Sequence, residues 1–268
     1  MLTRILSGLV ALAIVLPVIV YGGVMGVKAL VGLVLIAVLN EFSPIASPEH
    51  PVGAWLVTAV IGGGIYAQVS FGRETMTVAV MVVGVAALLS WAMFVHEDPE
   101  EGALSGAVTA LVVPYIAAAM AFIGLIREFN HANEVPEWLL FVLVGTWVTD
   151  SGAYFAGRFF GKKKLIERIS PKKTWAGVYG GIIATVVVSA VWASQTEIMS
   201  VGHAVGLATL LAISCVVGDL VESMFKRARG IKDSGGIMPG HGGLFDRVDS
   251  LLFTMPVTWT YAVAFGLA

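Results

Sequence analysis

Near its C-terminal end the 268-residue chain gathers its densest run of polar side chains. It reads Asp219-Leu-Val-Glu222-Ser223-Met-Phe-Lys226-Arg227, then Lys232-Asp233, then Pro239-Gly240-His241-Gly242-Gly243-Leu-Phe-Asp246-Arg247-Val-Asp249. Asp219, Glu222, Ser223 and Lys226 stand at i, i+3, i+4 and i+7, which on a helix is one face spread over about 10 Å. The uncharged stretch Ile198–Gly218 precedes Asp219, so this carboxylate closes an apolar helix. An ionised carboxylate there costs roughly 2.5–3.5 kcal/mol unless it is paired or faces water. A helix-end pair with Lys226 or Arg227 would answer that cost. It gives no reason for Asp233, Asp246 and Asp249 to return to the same edge. Carboxylates among lysines and arginines suit a divalent cation and a polyphosphate. Mg²⁺ takes one or two carboxylates and completes its shell with water and phosphate oxygens, while Lys and Arg hold the remaining charge. The Pro239–Gly243 turn adds backbone N–H groups for an anion.

A second cluster lies upstream. Asp150, Tyr154 and Arg158 fall at i, i+4 and i+8 on one helical stripe, with Asp150 about 12 Å from Arg158 along the axis. Asp150 reads either as the partner of a Lys or Arg or as a group near substrate or metal, and the sequence leaves both open. Ser170-Pro171-Lys172-Lys173-Thr174-Trp175 reads as a helix start, with Pro in the first turn and hydroxyls at Ser170 and Thr174. A helix N-terminus beside two lysines binds phosphate well; a plain basic flank is the other reading, and the stronger one for Lys162–Lys164.

The elements that must carry these groups are apolar. Hydrophobic residues make up 57% of the chain and charged residues 13%, too few charges for a water-facing surface. An ordinary soluble enzyme, a disordered protein and a disulfide scaffold are excluded. The single Cys215 sits in an apolar run and reads as a packing residue. Uncharged runs of about 20 residues predict an all-α polytopic membrane protein with about nine transmembrane helices, at roughly 4–21, 24–42, 53–71, 76–95, 103–126, 137–158, 174–194, 201–223 and 249–267. The short Tyr21-Gly22-Gly23 break separates the first two. The runs are continuous rather than alternating, which excludes barrel strands.

Twelve of the sixteen Lys and Arg residues fall in 158–173 and 224–247. Both segments follow even-numbered spans, so they share one face, and the positive-inside rule makes that face cytoplasmic. The net charge of −2 gives no sign of a nucleic-acid partner. The chain divides into residues 1–136, apolar helices for packing, lipid contact and subunit contact, and residues 137–268, which hold the basic loops and the intramembrane carboxylates. Gly62-Gly63-Gly64 and Gly180-Gly181 read as packing sites.

From Ser223 to Asp249 the spacing Ser223-x2-Lys226-Arg227-x4-Lys232-Asp233-x5-Pro239-x-His241-Gly242-Gly243-x2-Asp246-Arg247-x-Asp249 resembles the signature of the phosphatidate cytidylyltransferases, the CDP-diacylglycerol synthases. Ser170–Trp175 with Gly177 resembles that family's second segment. The resemblance implies transfer of a cytidylyl group from CTP to phosphatidic acid with Mg²⁺, in a bacterial cytoplasmic (inner) membrane, with the active site facing the cytoplasm. It points to Asp219, Asp246 and Asp249 as the metal set. Ser223, Lys226, Arg227, Lys232, Asp233 and His241 are then the catalytic group, and Lys172, Lys173, Arg247 and Asp150 contact substrate. A homodimer is the expected assembly. Two other membrane enzymes and a transporter are the rivals. The Asp-Gly-x2-Ala-Arg motif of phosphatidyltransferases that consume CDP-lipids is absent. A CTP-dependent polyprenol kinase would need an alcohol substrate. An anion transporter would spread its charges across the midplane.

Overall fold

In the computed structural model, residues 2–72, 74–129, 135–240 and 242–267 are described. The helices run α1 Leu2–Tyr21, α2 Gly23–Ala46, α3 Pro51–Phe71, α4 Glu74–Val95, α5 Pro99–Glu128 and α6 Glu137–Phe160. A hairpin of β1 Lys164–Ile166 and β2 Ser170–Thr174 follows, then α7 Trp175–Gln195, α8 Val201–Ala228, the single turn α9 Phe245–Val248 and α10 Leu251–Ala264. Among the described residues seven helices, α2 to α8, are long and apolar enough to cross a membrane. The nine expected spans coincide with α1–α8 and α10, so the chain is an all-α polytopic membrane protein. The last is shorter than expected: α10 has 14 residues, about 21 Å of helix against a hydrocarbon core of about 30 Å.

Local chemistry sets the breaks. Gly23 takes φ +60°, a conformation that costs a side-chain-bearing residue, and this lets α1 turn into α2 with no loop. The acidic segment 97–101 is a helix cap. Asp98 accepts the N–H of Glu100 at 3.2 Å and of Glu101 at 3.4 Å, and Glu100 and Glu101 sit in the first turn of α5, where the helix dipole favours negative charge.

Residues 170–173 do not open a helix. Ser170–Thr174 is strand β2, antiparallel to β1 with Lys164 opposite Thr174 and Ile166 opposite Ser170. The cap falls on Thr174, whose Oγ1 accepts the Gly177 N–H at 3.2 Å, so α7 begins at Trp175. Pro171 has no N–H to give, and a two-stranded ribbon tolerates that loss.

The chain forms two compact units, residues 1–125 with 233–247, and residues 126–232 with 248–268. The 233–247 segment thus groups with the N-terminal helices, which a division at residue 136 does not anticipate. In the first unit α2 packs on α1 and α3, and α3 on α4. In the second, α6, α7 and α8 pack on one another and α10 lies against α8 and α6.

Small residues bring α6 and α7 close. A Cβ on Gly152 would stand 2.8 Å from Ala184 Cβ and 2.9 Å from the Gly180 carbonyl, and one on Gly180 would overlap Ala156 Cβ. Buried hydroxyls tie the seam: Thr149 and Thr185 meet at 2.7 Å, one hydroxyl donating to the other, and the accepting hydroxyl has its own hydrogen for the carbonyl four residues back, Gly145 O at 2.8 Å or Gly181 O at 2.9 Å. Polar groups in a bilayer must be satisfied within the protein, and these are.

Gly180→Ala should therefore cost about 1–3 kcal/mol through overpacking. Gly63→Ala, where a Cβ meets nothing within 4 Å, should not lower stability and should raise it by up to about 1 kcal/mol, since Ala orders more cheaply than Gly inside a helix. Thermal unfolding of the two variants in detergent checks the contrast.

Candidate active site

Helix α8 carries the expected polar face. Ser223 Oγ donates to Asp219 Oδ1 at 3.2 Å, and Lys226 pairs with Glu222 at 2.6 Å. Both are i, i+4 contacts on the stripe the spacing predicts. Glu222 and Lys226 are buried. Removing one member of such a pair would strand the other charge, at about 3–5 kcal/mol. The α8 face is met from two sides. From β2, Lys173 Nζ reaches Asp219 Oδ2 at 2.8 Å and the Val216 carbonyl at 3.4 Å. From the turn before α10 comes Asp249.

Gly218 makes that second approach possible. A Cβ there would stand 2.8 Å from the Asp249 carbonyl oxygen and 3.1 Å from Ser250 Cα. Ser250 Oγ donates to the Cys215 carbonyl at 3.3 Å, and the Ser250 N–H donates to Asp249 Oδ1 at 2.5 Å. The turn is thus pinned to α8 at Asp249 itself and at the residue after it. Asp219, Glu222 and Asp249 each bring an oxygen within 4.8 Å of the others.

Such a set suits a hard divalent cation. All three donors are oxygens, the choice of Mg²⁺. Their mutual repulsion is visible at Asp249. Burial, and after it the charge of Asp219, push its carboxyl up to about 7, against the Ser250 N–H; Asp150 adds to the push and Lys173 opposes it. A cation would relieve that repulsion, so the residues present fit one.

The other expected site residues are placed as follows. Asp150, on α6, is exposed and its Oδ1 accepts the Cys215 thiol at 3.5 Å. Arg158 donates to Tyr154 at 2.8 Å, so that stripe is real. Arg227 donates to the carbonyls of Ile169 at 3.3 Å and Ile231 at 2.7 Å, which ties the hairpin and the turn after α8 to the helix end. Lys172 and Lys232 are exposed. Asp233, Asp246 and Arg247 belong to the first unit, with Asp233 and Arg247 exposed. Asp246 accepts the N–H of Gly243 at 2.9 Å and of Ser234 at 3.1 Å, both through Oδ2. His241 lies outside the described residues. Glu222 was not among the expected metal-holding residues. Its place on the same helical face was the available signal.

Comparison with known proteins bears out the family resemblance. A sequence model described as the cytidylyltransferase family matches residues 2–265. A phosphatidate cytidylyltransferase of Haemophilus influenzae is 41% identical over 155 residues, 54% of this chain and 52% of that protein. The enzyme of the same name from Staphylococcus aureus (strain COL) is 31% identical over 265 residues, 96% of this chain and 97% of that one. That of Staphylococcus epidermidis is 32% identical over 265 residues with the same coverage.

Gly218→Ala should weaken divalent binding by about tenfold, as displaced supporting groups do, because the added methyl pushes Asp249 off α8. Asp219→Asn and Asp249→Asn should each weaken it at least as much. Mn²⁺ titration followed by electron paramagnetic resonance on the purified protein checks all three, and equal affinity in all would dissolve the proposed cluster.

Proposed function

Since the chain belongs to the cytidylyltransferase family, we propose that it transfers the cytidylyl group of CTP to phosphatidic acid, releasing CDP-diacylglycerol and pyrophosphate. The observation that carries the reading is the Asp219–Glu222–Asp249 cluster with Lys173 and Lys226 paired into it. Its charges sit at the end of a membrane helix, where a lipid phosphate and a water-soluble nucleotide can meet.

The chemistry asks for little acid–base work. A phosphate oxygen of phosphatidate attacks the α-phosphorus of CTP and forms a P–O bond. The bond from that phosphorus to the bridging oxygen breaks, and pyrophosphate leaves with the electron pair. The nucleophile is already anionic near neutral pH. The obstacle is repulsion between phosphates, which cationic groups and fixed positions overcome. Asp219, Asp249 and Glu222 would hold Mg²⁺, which would supply neutralisation of phosphate charge. Lys173 and Lys226, each held by a carboxylate, are oriented to contact phosphate oxygens at the same face. Ser223 fixes the rotamer of Asp219 through its hydrogen bond. Lys172, Lys232, Arg227 and Arg247 are the further phosphate contacts of this reading, with Asp150, Asp233 and His241 as polar groups for substrate. Asp246 stays a metal candidate, since a carboxylate that accepts two N–H bonds has lone pairs left.

The membrane is the cytoplasmic membrane, with both basic loops in the cytoplasm, where CTP is available. Both loops follow spans that end on one side, and together they hold most of the Lys and Arg. A homodimer belongs to the same reading, and crosslinking in native membranes reads it out.

Purified protein given CTP labelled at the α-phosphate, phosphatidate and Mg²⁺ should produce a labelled liponucleotide. CTP labelled at the γ-phosphate should leave the lipid unlabelled; the opposite pattern would make the protein a kinase. Excess chelator should stop turnover. Asp219→Asn should lower kcat by about 10³ or more, as for loss of a central electrostatic group, with the protein still folded. For orientation, Lys163→Cys in a Cys215→Ala background should react with membrane-impermeant maleimide only after cells are opened. Labelling from outside would reverse the topology.

A further inference from the structure

The first unit holds a carboxylate that the proposed reaction does not use. Glu41 lies near the C-terminal end of α2 and is 5% exposed. Its Oε2 accepts the backbone N–H of Phe245 at 2.9 Å and the Ser234 hydroxyl at 3.4 Å. Its Oε1 is buried with no hydrogen-bond partner among the described residues. The next residue, Phe42, meets the ring of Phe245 edge-on with centroids 5.9 Å apart. Gly235 and Gly243 close around the carboxylate. A Cβ on Gly235 would collide with Oε1, and one on Gly243 would stand 2.6 Å from Oε2.

The same loop is fastened from within by Asp246. Ser234 gives its hydroxyl to Glu41 and its N–H to Asp246, while Gly243 gives its N–H to Asp246 and Phe245 gives its N–H to Glu41. Ser234, Gly243 and Phe245 are therefore held by two carboxylates, one at the end of the loop and one from α2. The need for such a hold is plain from the loop's composition. It is rich in glycine, with φ +78° at Gly240 and +83° at Gly242, and glycine loses the most backbone freedom on ordering. Phe42 of α2 also meets Phe245, and Ser7 of α1 donates to the Pro239 carbonyl at 2.9 Å.

We propose that Glu41 is a positioning residue of the enzyme, which fixes the 234–246 loop, and with it the orientation of Asp246 and Arg247, without touching substrate. The proposal rests on the reading above that this loop handles the phosphates of CTP. What Glu41 supplies is hydrogen-bond acceptance at one oxygen. An amide can supply that too, so Glu41→Gln should preserve the loop where Glu41→Ala releases it.

The test uses the full-length protein in detergent, with amide hydrogen exchange over 233–247 beside steady-state kinetics in which CTP and phosphatidate are varied separately. Glu41→Ala should speed exchange at Ser234, Gly243 and Phe245 about tenfold or more. It should lower kcat by about 10²-fold, the scale of a misplaced catalytic geometry, with KM for phosphatidate unchanged. Glu41→Gln should match wild type in both. Ser234→Ala, which removes one donor outside the helix core, should speed exchange at Phe245 and lower kcat less than Glu41→Ala, and it serves if Glu41→Ala fails to fold. Unchanged exchange in both Glu41→Ala and Ser234→Ala would overturn the hold. Glu41→Gln as inactive as Glu41→Ala would also overturn the proposal, since charge rather than acceptance would then be at work. So would a lowered melting temperature with normal kcat. If wild type makes no liponucleotide, the reaction assigned to the chain fails, while the exchange comparison still decides whether Glu41 holds the loop.

Discussion

Carboxylates set close together at the end of an apolar helix repel one another, and most of the second unit is arranged around that repulsion. At about 4 Å two unit charges interact by about 4 kcal/mol at an effective dielectric of 20, too much to leave unanswered beside lipid. Asp219, Glu222 and Asp249 bring oxygens within 4.8 Å of one another, where the repulsion is only slightly weaker. Lys226 answers Glu222 from the same helix, and Lys173 answers Asp219 from another element. The hairpin is what allows the second answer. By running 170–174 as a strand instead of a helical turn, it sends Lys173 to α8 while Thr174 is free to cap α7. Asp249 is raised first by its burial and then by the charge of Asp219, which Lys173 only partly offsets.

Positioning these charges depends on backbone approaching backbone. Gly218 lets the Asp249–Ser250 turn rest on α8, and Gly152, Gly180 and Gly181 let α7 lie on α6. Between lipid-exposed helices there is no hydrophobic drive to associate, so close packing and internal hydrogen bonds do that work. Thr149 and Thr185 provide the bonds. The glycines that look like mere packing residues along the sequence therefore set where the site's side chains end up.

How much of this the sequence revealed depends on the distance over which each feature is encoded. The helices were legible because apolar runs of membrane length need no partner to be recognised. The Asp219, Ser223 and Lys226 face was legible because helical periodicity is local. Glu222 shares that face, yet its role waited on Asp249 being brought in by a glycine contact. The span at 174–194 was placed within a residue of α7, but Ser170–Lys173 were read as part of its opening because Pro171 and two hydroxyls suit a helix start and a ribbon equally well. Thr174, one of those hydroxyls, turned out to be the cap. Glu41 was not legible at all. Its partners lie 193 and 204 residues further on, and nothing in its neighbourhood marks it as different from any acid at a helix end.

That separation has a consequence for how the protein is made. Synthesis proceeds from the N-terminus, and contacts of high sequence separation are the slow ones to close. When α2 enters the membrane, Glu41 has none of the donors that will satisfy it, and it waits through the insertion of six further long helices. Until the ribosome has passed Phe245, the buried carboxylate lacks that backbone N–H and the loop does not exist. A chain cut short anywhere before that point carries an unanswered acid at the end of its second helix. Such a nascent chain is marked as incomplete by its own chemistry.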